Sequence, residues 1–375
     1  MFKHKLSGVL IFLALFPIAF YQYVISSIGF GSVSIIQVSL LIFTLLLQKK
    51  MSLSGFKSKI FWTSILFLVF CTVSLLLNPT SNPYSETKRG QLFLVLLNML
   101  IPVLLIVNKE QIKTIVYFLV LYSFFISILA LLLGRYENSR LVLWDMNPIW
   151  LGRLALFQFL WFVILFVRTK SFLYLLLCGI PLFVVFKTSS IGPLLAVMLS
   201  LFFLIYCVHK TYKKFKIFYF IYRFFLQLKY LIFILLCIAC YWFFTVSNFE
   251  LPASFFYRKE MISNVFDFSN ITLSGVGFGN FYVFGDYAAV FLYPHNIYAE
   301  AFLELGIIGL CLLILYTVKI FKLKKINDDY QIYLFVCTFY SFILALFSGD
   351  LMTGNVGIYV FPLLLIKYNY LLSKE

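Results

Sequence analysis

The sequence predicts an all-α integral membrane protein of about twelve transmembrane helices, from its composition, its apolar runs and the positions of its basic residues. Of the 375 residues, 63% are hydrophobic and only 12% are charged. That much apolar surface needs lipid as its solvent, because a single water-soluble core cannot cover it. The length leaves no room for a large soluble domain beside the spans. We therefore expect residues 1–375 to form a single polytopic membrane domain.

Apolar runs bounded by charged or turn residues place the spans. The first run follows a charged start, as in a signal peptide, but no small-residue cleavage site precedes the next run, so we expect it to be retained as a helix. The predicted spans lie near residues 7–27, 30–47, 60–78, 90–107, 112–133, 148–168, 171–187, 190–208, 230–247, 295–318, 330–348 and 354–372.

The basic residues predict the orientation of these spans. With a cytoplasmic N-terminus, the inner segments contain 22 of the 30 Lys and Arg residues and the outer side contains eight, including Lys88 at an outer helix end. Such an excess marks cytoplasmic segments, so both termini are predicted to lie on the cytoplasmic side of the membrane. The net charge of +16 therefore reflects topology and binding to membrane lipids, and we expect no nucleic-acid partner.

The longest predicted outer loop, residues 248–293, is expected to carry part of an active site, because loops of this length are usually functional or disordered and this one is rich in aromatic residues. Within it, residues 253–266 fit an interfacial helix that presents Arg258. The following SGVGFGNF contains Gly277 and is either a turn that needs flexible backbone or a nest of N–H groups facing a phosphate.

The segment YPHNIYAEAFLELGIIGL begins the tenth span and contains the strongest candidates for chemistry. His295 is the only histidine on the predicted outer face, Asn296 fits a helix N-cap, and Glu300 fits the first helical turn. Asn296 and Glu300 are also candidates for binding the diphosphate or the glycan. Glu304 lies deeper, where a carboxylate is costly unless it is paired or faces a cavity. It therefore marks either a functional site or a salt bridge between helices. Gly306 and Gly309 are interpreted as helix-packing positions.

Three further cations lie on the predicted outer side. Arg153 is about one turn inside the sixth span, where it either binds an anion or extends to the interface, and Arg140 and Lys187 lie nearer the surface. Arginine suits phosphate oxygens, and an imidazole, which ordinarily titrates near neutral pH, suits proton removal from a sugar hydroxyl. Because no outer cluster of acids and histidines has metal-ligand spacing, we expect neither a metal ion nor a cofactor.

These residues resemble the O-antigen ligase and polymerase family. HNIYAEAFLELGIIGL is similar to that family's His-Asn, Glu and Glu-x-Gly-x-x-Gly pattern, and YRKEMISNVFDFSNITLSGVGFGNF resembles its Arg, amphipathic helix and Gly-rich turn. SRLVLWDMNPIWLGR is similar more loosely. The resemblance implies a GT-C-like fold in the bacterial inner membrane with its active site facing the periplasm, a catalytic His295 and a diphosphate-binding Arg258. It also implies transfer of undecaprenyl-diphosphate-linked oligosaccharides, in a pathway that has a flippase and a chain-length regulator.

The resemblance has one departure and leaves the reaction open. The family commonly has Ser-Arg-Gly near the outer start of a middle span, whereas TSSIGPLL has Ile191 in place of that Arg, and Lys187 is a candidate replacement. Polymerisation of repeat units into O-antigen or capsular polysaccharide is favoured over ligation of a finished chain to lipid A-core, in lipopolysaccharide, or to a protein. A polysaccharide-repeat flippase is the alternative of another class, which predicts paired interrupted helices in two halves of the chain.

Overall fold

The computed structural model describes residues 2–16, 21–78, 83–144, 146–212, 273–281, 294–322, 326–347, 350–352 and 357–374. Eleven α-helices and one short hairpin lie within these ranges. The helices are α1 (Phe2–Leu15), α2 (Tyr21–Gln48), α3 (Lys59–Leu77), α4 (Pro83–Leu105), α5 (Lys109–Leu133), α6 (Pro148–Thr169), α7 (Phe172–Lys187), α8 (Ile191–Tyr212), α9 (Ile297–Phe321), α10 (Asp329–Phe347) and α11 (Gly357–Leu372).

The protein is a helical membrane protein. Seven of the described helices, namely α3, α4, α5, α6, α8, α9 and α10, are long and apolar enough to cross a bilayer, and shorter apolar stretches occur in α2, α7 and α11. The predicted span at residues 230–247 lies outside the described residues. The total of twelve spans and their in-in orientation therefore stay predictions.

Two of the predicted spans begin or end elsewhere. The predicted span 7–27 crosses the end of α1 at Leu15, and α2 begins at Tyr21. Pro17 is the second residue after Leu15 in the sequence, and proline disfavours helix in the residue before it, here Phe16. Helix α4 begins at Pro83, seven residues before the predicted span, so Lys88 lies inside the helix instead of at its outer end.

A short β-hairpin lies between α5 and α6, where the all-α prediction has no strand. Strands β1 (Arg135–Glu137) and β2 (Arg140–Val142) pair antiparallel, with Glu137 opposite Arg140. Asn138 and Ser139 connect them, and both have positive φ, 49° and 64°. A two-residue loop with both residues left-handed is the turn whose twist matches a hairpin, and Asn tolerates that conformation better than most residues.

Five fully buried tyrosines fasten the last three helices to their neighbours. Each hydroxyl donates a hydrogen bond, so that its burial does not leave a donor unsatisfied. The acceptors are the carbonyl of Ile358 for Tyr316 at 2.8 Å, of Phe157 for Tyr333 at 3.2 Å, of Arg153 for Tyr340 at 3.2 Å, of Leu351 for Tyr359 at 3.0 Å, and Oδ2 of Asp328 for Tyr368 at 3.0 Å.

Candidate active site at one end of the bundle

Helix α9 begins at a capped N-terminus, as the sequence predicts. The side-chain oxygen of Asn296 accepts hydrogen bonds from the backbone N–H groups of Tyr298 (3.0 Å) and Ala299 (3.1 Å), and its amide donates to the carbonyl of Leu346 at 3.3 Å. The N-cap prediction for Asn296 is confirmed. The second contact fixes the start of α9 against the C-terminal end of α10. Because both side-chain groups of Asn296 are in use here, its role in this structure is to position the helix.

His295, the residue before the cap, has a left-handed backbone. Its φ is 56°, and its side chain is half-buried. Few residues other than glycine adopt positive φ, and those that do are enriched at functional sites because the surrounding structure must hold them there. The cap at Asn296 supplies part of that constraint, because it fixes the backbone next to His295 at the start of α9.

Helix α9 is interrupted at Gly306, which has φ 65° and ψ −162°. The segment 273–277 docks into the interruption. Val276 N–H donates to the carbonyl of Leu303 and Gly277 N–H to that of Glu304, both at 3.0 Å, and Ile308 N–H donates to the carbonyl of Leu273 at 3.3 Å. The backbone groups released by the interruption are therefore satisfied by protein, as the interior of a membrane requires.

Glycine is required at the interruption. A Cβ on Gly306 would overlap the carbonyl oxygen of Leu273 and lie 2.5 Å from the nitrogen of Gly275. The sequence-based interpretation of Gly306 as a simple helix-packing residue is therefore wrong. Gly277 has φ 105° and its N–H is already bonded to Glu304, which supports the turn interpretation of SGVGFGNF over a phosphate nest at this amide.

A buried lysine sits between the two acids of α9. Lys88 Nζ forms ion pairs with Glu300 Oε1 and, at 2.8 Å, with Glu304 Oε2, and all three side chains are fully buried. Glu300 and Glu304 are four residues apart and so share one face of α9. The inter-helix salt bridge considered for Glu304 is thus present. Glu300, interpreted from sequence as a first-turn acid, has a more specific role as the second partner of Lys88.

The second oxygen of each carboxylate accepts a backbone hydrogen bond. Glu300 Oε2 accepts from Leu351 N–H at 3.0 Å, and Glu304 Oε1 accepts from Phe281 N–H at 3.3 Å. Lys88 Nζ also lies 4.5 Å from the ring centroid of Phe278. We call Lys88, Glu300 and Glu304 the buried triad. It joins α4, α9, the segment after α10 and the glycine-rich turn.

Arg140 lies beside the α7–α8 connection. Its Nε donates to the carbonyl of Thr188 at 3.0 Å and its Nη2 donates to Ser190 Oγ at 2.9 Å. The surface position expected for it is therefore only partly correct, because the side chain is half-buried and held in place. Lys187 is exposed, 5.9 Å from the ring centroid of Tyr136 and 5.3 Å from that of Phe183.

Arg153 is buried instead of extended to the interface. Its relative exposure is 4%, and its guanidinium carbon lies 4.8 Å from the ring centroid of Trp150. Its helix packs against the same connection that Arg140 contacts, since a Cβ on Gly152 would lie 3.2 Å from Thr188 Oγ1. Burial of an arginine at this depth argues against the interface interpretation and leaves anion binding as the stronger of the two.

These groups lie at one end of the bundle. The C-terminal end of α10 connects them, because Leu346 accepts the bond from Asn296 while Phe347 lies beside Gly192 at the start of α8. We call this the predicted outer end. Arg258 and the predicted interfacial helix lie outside the described residues, as does most of the loop 248–293. Within the described part of the chain, no group of three His, Cys, Asp or Glu side chains is placed to hold a metal ion.

Sequence reasoning missed Lys88, whose partners follow it by 212 and 216 residues. The available signal was the pair of acids four residues apart in a predicted span, because two buried carboxylates need a cation.

Comparison with models of known protein families and with curated proteins gives no match for this chain.

Proposed function

We propose that the protein is a glycosyltransferase that polymerises undecaprenyl-diphosphate-linked oligosaccharide repeats into O-antigen or capsular polysaccharide at the outer face of the cytoplasmic membrane. The observation that supports it most is the conformation of His295 at the start of the interrupted helix α9. A titratable side chain is held there in a left-handed backbone, near the start of the helix that carries the two acids paired with Lys88. Arginine side chains lie at the same end of the bundle.

In the proposed reaction, His295 removes the proton from the attacking sugar hydroxyl as the new glycosidic bond forms and the bond to the lipid diphosphate breaks. Guanidinium groups stabilise the negative charge that develops on the departing diphosphate. Arg153 and Arg258 are the candidates for this second role. The buried triad does no chemistry in this scheme, because its carboxylates are fully buried and bonded on both oxygens. Glu304 is therefore proposed as a positioning residue.

Arg140 is the better candidate for the arginine that the resemblance places near Ile191. Its guanidinium contacts Thr188 and Ser190, the residues just before that position, whereas Lys187 extends to an exposed site over aromatic rings. A guanidinium also binds two oxygens of a diphosphate at once, which an ammonium does not. We therefore assign donor binding at this connection to Arg140 instead of Lys187.

One feature favours the transporter alternative. Interrupted helices are typical of transporter sites, and α9 is interrupted. Transporters of this kind have paired interruptions in two halves of the chain, however, and α9 contains the single interruption among the helices that the structure describes. The released backbone groups of α9 are also bonded to the turn 273–277 instead of facing a cavity. The enzyme is therefore the proposal that we develop.

The test is His295→Ala in cells that depend on this protein for surface polysaccharide. General base catalysis contributes about 10²–10⁴-fold, so we expect elongation of lipid-linked repeats to fall by at least about 100-fold, with the protein still in the membrane. His209→Ala is the matched control, because His209 is also half-buried but lies in the last turn of α8, and it should leave elongation unchanged. Normal chain lengths in the His295→Ala strain would refute the proposed base.

Deletion of the protein distinguishes the polymerase from the ligase. Single repeats on the acceptor indicate that polymerisation has been lost. Long chains that accumulate on undecaprenyl diphosphate indicate that ligation has been lost, and would replace our proposal by the ligase. Loss of polymer together with repeats trapped on the cytoplasmic side would instead favour the flippase.

A further inference from the structure

A cavity of about 380 Å³ lies at the opposite end of the bundle, the predicted cytoplasmic end. It is bounded by the 3-10 turn Ser54–Lys57 with the start of α3, by the last turn of α9, and by the last turns of α11. Four lysines line it, Lys57, Lys59, Lys319 and Lys322. We call this the basic cavity. It brings together lysines from two segments that are far apart in the sequence.

The positive charge of the basic cavity is not balanced by acids. None of its four lysines forms an ion pair with a carboxylate within the described ranges, whereas Lys88, Lys113, Arg135 and Arg168 do. Lys319 Nζ instead donates to the hydroxyl of Thr63 at 2.6 Å. Four like charges around one cavity raise the electrostatic potential there and favour an anionic ligand.

A fifth ammonium group, that of the buried Lys367, adds to this positive potential. Lys367 is 2% exposed, and its Nζ donates to Ser54 Oγ (2.9 Å), Ser52 Oγ (2.6 Å) and the carbonyl of Val103 (3.0 Å). Ser54 also lines the cavity, so the buried charge lies one side chain away from it. All three acceptors are neutral oxygens. An anion in the cavity would supply the counter-charge that these contacts lack.

The cavity walls are apolar as well as basic. Ile60, Ile366 and the ring of Tyr370 line it together with the lysine stems. Its volume lies within the range of about 300–1,000 Å³ that small-molecule sites occupy. Basic pockets between transmembrane helices on the cytoplasmic side bind anionic lipid headgroups, whose phosphate meets the ammonium groups while glycerol and acyl carbons meet apolar walls.

We propose that the basic cavity binds the phosphate group of an anionic phospholipid from the cytoplasmic leaflet. A free phosphate ion shares the charge that the lysines recognise, but it would leave the apolar wall formed by Ile60 and Ile366 unused. This site is separate from the candidate active site, and it does not rest on the proposed reaction.

The experiment titrates the full-length, delipidated protein in detergent with phosphatidylglycerol or phosphatidylcholine, and counts bound lipids by native mass spectrometry. Lys57→Gln/Lys322→Gln removes two exposed cavity lysines, and Lys5→Gln/Lys50→Gln removes two exposed lysines of the same predicted end outside the cavity. We expect one tightly bound phosphatidylglycerol on the wild type and on the control. The cavity variant should bind phosphatidylglycerol at least about tenfold more weakly, and no protein should bind phosphatidylcholine in preference to phosphatidylglycerol.

Inorganic phosphate, added alone and in competition, distinguishes the two sources of the anion. If it binds to the wild type, displaces the lipid at millimolar concentration and loses affinity in the cavity variant, the site belongs to a free ion and the lipid assignment is wrong. Equal phosphatidylglycerol binding by the cavity variant and the control would overturn the site itself. Circular dichroism verifies that both variants keep their helices. Phosphatidylglycerol binding by the single variant Lys322→Gln provides a second measurement with a less severe substitution.

Discussion

Lys88 and Lys367 are both buried lysines near opposite ends of the bundle, but their charges are compensated in different ways. Lys88 pairs with two carboxylates of α9, and each carboxylate is further bonded to a backbone N–H. Lys367 donates to three neutral oxygens, in a region where four more lysines have no acidic partner among the residues that the structure describes. The predicted outer end thus contains a closed ionic cluster, whereas the predicted cytoplasmic end has an excess of positive charge.

This difference indicates different tasks. A cluster in which every charged group is paired makes the structure rigid, and the buried triad holds the glycine-rich turn and the start of α9 in place. An unpaired excess of charge costs free energy unless a ligand or a lipid surface completes it. Under the two proposals, the predicted outer end positions side chains for chemistry and the predicted cytoplasmic end attracts anions.

The largest effect is expected from Lys88→Met. Removal of one partner from a buried ionic cluster leaves uncompensated charge and costs about 3–5 kcal/mol, and two carboxylates lose their cation here. We expect a fall of this size in the free energy of unfolding, measured by denaturant titration in detergent. Arg89→Ala is the control, because Arg89 is the next residue and is exposed.

The triple variant Lys88→Met/Glu300→Gln/Glu304→Gln tests the cause. It removes the buried charges together, so we expect it to recover a large part of the lost stability. If Lys88→Met is as stable as Arg89→Ala, or if the triple variant is no more stable than Lys88→Met, the buried triad does not have the role assigned to it.

Gly306→Ala should have the next largest effect. The backbone strain of a non-glycine residue at φ 65° costs about 1–3 kcal/mol, and the overlap with Leu273 adds at least about 1 kcal/mol of overpacking, so we expect a total loss of at least about 2 kcal/mol. Thermal unfolding in detergent measures it. Gly179→Ala is the matched control, because an added Cβ there meets nothing within 4 Å and alanine favours helix. Equal unfolding temperatures in the two variants would contradict a rigid interruption.

The sequence was sufficient for features that depend on neighbouring residues. Apolar runs locate the membrane helices, and Asn296 is predicted as an N-cap because capping involves only the next three residues. The hairpin at Asn138–Ser139 also has a local turn signal, but its eight residues mix polar and apolar side chains and contain no apolar run.

Contacts between distant segments were not predictable in the same way. The cost of a carboxylate at Glu304 predicts that it has a partner or a cavity, but only the packing of α4 on α9 identifies Lys88, which by local context looked like an ordinary outer helix end. The interruption at Gly306 likewise depends on the segment 273–277, since in a continuous helix the carbonyls of Leu303 and Glu304 would bond within α9. The basic cavity requires three elements together.

Lys367→Met should have the smallest effect of the three substitutions. It removes three hydrogen bonds from a charged donor, but it also removes the cost of burying an ammonium group without a carboxylate partner, and a methionine has nearly the same length. We therefore expect a loss of about 1–2 kcal/mol in the free energy of unfolding, less than half of that for Lys88→Met. Lys374→Met is the control, since this lysine is exposed and its Nζ lies 4.8 Å from the ring centroid of Tyr370, a contact of about 0.5–1 kcal/mol. An equal loss of unfolding free energy for Lys367→Met and Lys88→Met would mean that neutral oxygens stabilise a buried lysine as well as carboxylates do. The contrast between the two ends would then not be one of charge compensation.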